Sequence, residues 1–141
     1  MMQQARQVQA RLSWRAWAIA LLIALLGGVA GNGLVWLIGD LAGEIHVDLL
    51  DVMLFSVIGA VAGGVLYALL ALLVREARTR DRIFIVICVV VLVVYAFAPI
   101  AAMQAPYKQG AQPFNVLTVI ATEIMHLISG GLVIFAFTRK W

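Results

Sequence analysis

Four stretches of this chain are too apolar and too long to fit inside a water-soluble fold of its size. They run over about 16–39, 52–74, 83–103 and 114–138. Crossing roughly 30 Å of hydrocarbon takes about 20 helical residues, and a lipid interior has no water to satisfy free backbone N–H and C=O groups, so each run must be helical. The expected fold is therefore all-α: a polytopic membrane protein, a four-transmembrane-helix bundle forming one membrane domain over 1–141. Composition agrees, since 65% of the residues are hydrophobic and 12% charged, against about 25% charged in soluble domains. The spans leave no room for an added soluble domain of about 50 residues.

The first run follows Arg6, Arg11 and Arg15 and contains the small-x-small triplet Gly28-Val29-Ala30, which resembles a signal-peptide cleavage site. The apolar run nevertheless continues through Leu34 to Ile38. It is read as a retained span.

The basic residues set the expected orientation, because short loops rich in Lys and Arg stay cytoplasmic. Of the ten Lys and Arg residues, only Lys108 falls in the first or third connection; the others lie in the N-terminal segment, the REARTRDR connection at 75–82, or the C-terminal Arg139-Lys140. Both termini are thus expected to be cytoplasmic. A net charge of +3 distributed in this way serves topology, and no nucleic-acid partner is expected. Trp14, Trp17, Trp36, Tyr107 and Trp141 lie near span ends, where an aromatic belt belongs. In the N-terminal QQARQVQARLSWRAW, Ala5, Val8 and Leu12 recur at helical spacing with Arg11 and Arg15 one turn apart, as in a basic helix lying on an anionic leaflet.

Helices in lipid gain little from hydrophobic contact with one another, so packing relies on small residues and a few interhelical hydrogen bonds. Span one offers Gly27 and Gly31, span two Gly59 and Gly63, and span four Ser129, Gly130 and Gly131. Span three, IFIVICVVVLVVYAF, is bulky on all sides. It is expected to face lipid most, or to meet a protein partner or a second copy of the chain. Pro99 should bend or end it.

One segment breaks the apolar pattern. TEIMHLISGG, at 122–131, places Glu123 and His126 inside span four, where a charge costs about 2.5 to 3.5 kcal/mol on insertion scales and so turns inward to a partner. With Ser129 they are read as one inward stripe, and Asn32, between Gly31 and Gly33 at similar depth in span one, as its partner. Thr118, Thr122, Tyr67 and Tyr95 are further polar candidates. The cluster Asn32, Glu123, His126 and Ser129 has two main readings: a clasp that fixes helix register, or a proton relay of a small transporter or channel using Glu123 and His126. Glu-x-x-His is also the spacing of carboxylate di-iron bundles, but those require the motif twice with two further glutamates. Metal or haem binding through His126, and a quinone beside it, are lesser alternatives.

Between spans one and two, DLAGEIHVDLLD spaces Asp40, Glu44 and Asp48 as an amphipathic interfacial helix would. An extended loop would instead point Glu44, His46 and Asp48 one way, as a cation site. QAPYKQGAQP reads as a turn-rich loop. Cys88 is the only cysteine, so neither an internal disulfide nor a CxxC site exists. No GxSxG, Walker loop or HExxH occurs, so no cofactor is expected and nothing supports an enzyme.

With GNGLV in span one and EIMHLISGG in span four, the chain resembles small uncharacterised four-helix bacterial membrane proteins of the domain-of-unknown-function kind. The resemblance implies a multi-pass bundle in the bacterial cytoplasmic (inner) membrane and no particular activity. The expected role is that of a non-enzymatic accessory or structural component, as a subunit of a larger membrane complex or a homo-oligomer.

Overall fold

The computed structural model describes residues 13–43 and 45–139. Five helices occur in it: α1 (Trp14–Leu41), α2 (Leu49–Leu73), α3 (Ala77–Tyr95), the short α4 (Phe97–Ala101) and α5 (Val116–Thr138). With α4 continuing α3, these make four helices long and apolar enough to cross a membrane. The interfacial-helix reading of the basic N-terminal segment falls mainly on residues outside the described ones, as do Glu44, Lys140 and Trp141.

The helix boundaries follow local chemistry. Ser13 and Asn115 cap α1 and α5 by accepting hydrogen bonds from the backbone N–H groups of Ala16 and Thr118, which otherwise have no intrahelical partner. α3 stops at Tyr95, four residues before Pro99, because the proline ring clashes with that carbonyl and has no N–H to donate to it. The expected bend at Pro99 therefore appears as the break between α3 and α4.

Two boundaries differ from the sequence expectation. α3 begins at Ala77, not at 83, and the connection from α2 shrinks to residues 74–76. Its charges do not exclude Arg80 from the helix: Arg80 is buried, with its guanidinium 5.1 Å from the Tyr67 ring centroid, while the Tyr67 hydroxyl donates to Asp81 at 2.7 Å. Nor does DLAGEIHVDLLD form an interfacial helix. α1 runs to Leu41, and after a turn at Gly43 (φ +77°) the chain continues without helix from Ile45 to α2. Its backbone is tied down: the Trp36 indole donates to the Val47 carbonyl at 2.7 Å, and the His46 N–H donates to Thr118 Oγ1 at 2.9 Å.

Small residues set the seams. α1 packs on α5 where a Cβ on Gly27 would come 3.0 Å from Leu132, and one on Gly31 2.8 Å from Ile128. α2 packs on α5 at Gly63, where a Cβ would fall 2.5 Å from Val133. The neighbouring Gly64 lets the Trp17 indole reach its carbonyl at 3.0 Å. Gly130 of α5 receives Leu92 of α3, so the bulky third span is the knob, and the hole belongs to its neighbour. Gly59 does not pack as expected: nothing lies within 4 Å of a Cβ there. It sits one turn from Gly63, on a face of α2 that meets no helix.

Burial separates a tight unit from a looser arm. α1, α2 and α5 contribute most of the buried residues, whereas α3 buries only Arg80 and Phe84. At the end of the bundle near the 74–76 connection, α3 is held by an aromatic group in which Phe84 lies 5.1 Å from Tyr67 and 6.0 Å from Phe137 between ring centroids. At the opposite end, the 102–115 loop fastens onto α2. Tyr107 donates to Asp51 at 2.7 Å, and Lys108 binds both Asp48 and Asp51. Those two carboxylates hold the Lys108 ammonium pKa above its ordinary value, and burial followed by the Asp51 hydrogen bond raises that of the Tyr107 phenol.

Candidate functional site: the divided polar stripe of the fourth span

Asn32 is buried where α1, α2 and α5 meet. Its amide donates to Ser56 Oγ and to Ser129 Oγ, each at 2.7 Å, and the Ser56 hydroxyl donates to the Val52 carbonyl at 2.6 Å. One side chain thus ties three helices together through hydroxyls, with no charge involved. Ser56 escaped the sequence reading. Its signal was its position: apart from Asp51 and Tyr67, it is the only polar side chain in α2.

The partner expected for Asn32 was Glu123, and that pairing does not form. Among the described residues, Glu123 Oε1, His126 Nδ1 and Asn32 Oδ1 are buried without a hydrogen-bond partner. The reason is helical precession. An i+3 step falls about 60° short of a full turn, so Glu123 and Ser129, two such steps apart, point about 120° apart around α5. Ser129 faces Asn32. Glu123 and His126 lie toward Gly130, on the side that meets α3, where the His126 ring stands edge-on to Tyr95 with centroids 6.3 Å apart. What reads as one inward stripe is two sites on adjacent faces of the helix.

The other polar candidates have local roles. Thr118 is fully buried and accepts a hydrogen bond from the His46 N–H, and the Thr122 hydroxyl donates to the Thr118 carbonyl at 2.7 Å. At the loop end, the residues of the alternative cation-site reading point to other partners. His46 Nδ1 lies 2.9 Å from the Pro113 carbonyl, and Asp48 binds Lys108. Glu44 lies outside the described residues, among which no group of three His, Cys, Asp or Glu side chains could hold a metal.

A cavity of about 370 Å³ lies between α2 and α3, and Asn32, Ser56, Ser129 and His126 are its polar lining residues along with Thr122 and Tyr95. Its walls are otherwise apolar. The exposed residues Phe55, Ile58 and Gly59 of α2 and Val91 and Tyr95 of α3 border it, so it opens sideways between these helices, on the surface that would face lipid. The cleft exists because α2 and α3 converge at Tyr67 and Phe84 and separate toward Phe55 and Tyr95, where Gly59 supplies no side chain to fill the gap.

No curated protein and no solved structure matches the chain. A family model does, over residues 8–141. Those residues take in all four long apolar helices, the Asn32 clasp and the cleft, and the chain belongs to that family, described as a family of unknown function (DUF6069).

Proposed function

We propose that this is a non-enzymatic multi-pass protein of the bacterial cytoplasmic membrane, with both termini cytoplasmic, acting as an accessory or structural component of a larger membrane assembly. The Asn32 clasp carries this reading. The polar side chains at the centre of α1, α2 and α5 are engaged in joining helices, and they do not line up with Glu123 into a track across the bundle. The basic residues at Arg15 and at Arg75 to Arg82 support the orientation. Lys108, the exception to that bias, is neutralised by Asp48 and Asp51. The outward face of α3, exposed at Val86, Val90, Val93 and Val94, is the proposed surface for a protein partner or a second copy.

A second reading, proton-linked transport, draws on one observation: the buried, unpartnered Glu123 Oε1 and His126 Nδ1 lie one turn apart. The two readings separate in liposomes loaded with a pH-sensitive dye, with the purified chain inserted and a potassium diffusion potential imposed. The accessory reading expects proton entry no faster than in protein-free vesicles. Entry that depends on the protein and is lost in Glu123→Gln would overturn it in favour of transport.

A further inference from the structure

We propose that the lateral cleft between α2 and α3 binds a hydroquinone-type molecule with an apolar tail, taken directly from the membrane. Its volume, about 370 Å³, falls within the roughly 300–1,000 Å³ of small-molecule sites, which are mostly apolar with a few placed polar groups. Here those groups select the ligand. Asn32 is only 4% exposed and lines the cleft; its amide N–H groups are committed to Ser56 and Ser129, while Oδ1 has no partner. An acceptor without a donor calls for a ligand that brings an O–H. His126 also lines the cleft, and its Nδ1 is buried and unpartnered; a second polar contact from this side chain favours a head with two hydroxyls over one with a single hydroxyl.

Depth removes the ordinary lipids. Asn32 lies nine residues from the end of α1 and His126 ten from the start of α5, or about 14 to 15 Å along each helix. A phospholipid headgroup stays at the interface and does not reach that level. A small neutral head on an apolar tail does. The walls fit a ring: Phe55 and Tyr95 flank the cleft, and the His126 and Tyr95 rings meet edge to face, an arrangement open to further aromatic contacts. The tail leaves through the opening toward lipid.

The oxidised counterpart carries two carbonyl acceptors and no donor, so it cannot satisfy Asn32 Oδ1. The test is thermal unfolding of the full chain in lipid nanodiscs under argon, titrated with decylhydroquinone, decylbenzoquinone or decylbenzene. Stabilisation by each gives its apparent Kd. The hydroquinone is expected to bind roughly tenfold or more tightly than the quinone, the size of effect a buried acceptor left unpaired produces. Gly59→Leu, which fills open space, is expected to leave the ligand-free melting temperature unchanged and to abolish the hydroquinone's effect, as is Ala62→Phe at the cleft wall. Equal stabilisation by all three compounds, or hydroquinone binding that survives both cleft-filling variants, would overturn the proposal.

Discussion

Two sites on the same helix use their polar groups differently. On one face of α5, Ser129 meets Asn32, which also holds Ser56, so one amide joins three helices with both of its N–H groups used. On the adjacent face, Glu123 and His126 each keep a buried atom with no partner, as Asn32 does at Oδ1; they lie against α3, the long helix that buries least. Different polar residues therefore contribute differently to holding this bundle together. In lipid, an interhelical hydrogen bond contributes modestly, about 0.6 kcal/mol on average, whereas a buried polar atom without a partner costs about 1–3 kcal/mol by protein mutational data. The Asn32 N–H groups and the two serine hydroxyls join helices. Glu123 Oε1 and His126 Nδ1, like Asn32 Oδ1, make no such bond and cost stability where they are buried.

The largest effect expected from sharpening this contrast comes from the glycines. Gly63→Leu drives a side chain into Val133 at the α2–α5 seam and should cost about 2 to 3 kcal/mol, while Gly59→Leu, one turn away and facing the cleft, should cost almost nothing; denaturation of both in mixed micelles checks the pair. Equal losses would mean that the cleft is packed. Next, Asn32→Ala should cost about 1 to 2 kcal/mol, from two interhelical hydrogen bonds and a small cavity. A melting curve matching that of the unsubstituted chain would remove the clasp. The smallest effect has the opposite sign: Glu123→Leu should leave stability unchanged or raise it by up to about 1 kcal/mol, because it removes an unsatisfied buried oxygen and breaks no bond. A clear loss would place Glu123 back among the groups that hold the helices together.

Length and apolarity are local properties, so the four spans were legible in the sequence, as were Gly27, Gly31 and Gly63, which do meet α5 side chains closely. The arrangement of neighbours is not a local property. Gly59 and Gly63 share the same four-residue spacing, yet only Gly63 faces a helix, because α2 and α3 separate toward Gly59. Arg80 read as part of a charged loop, since no apolar pattern announces that a guanidinium will stack on Tyr67. The i, i+3 link from Glu123 to His126 was sound locally. Extended by another step to Ser129, it accumulated enough rotation to join two faces, and the Asn32–Glu123 pairing failed for that reason. Ser56, the third member of the clasp, lay in an apolar run with nothing beside it to mark its partner.

Two double-mutant cycles on unfolding free energy decide whether the polar stripe of α5 is divided. One pairs Asn32→Ala with Ser129→Ala, the other Asn32→Ala with Glu123→Ala. A divided stripe gives a coupling of about 0.6 kcal/mol or more in the first and none beyond error in the second. Coupling between Asn32 and Glu123 as large as that between Asn32 and Ser129 would contradict it.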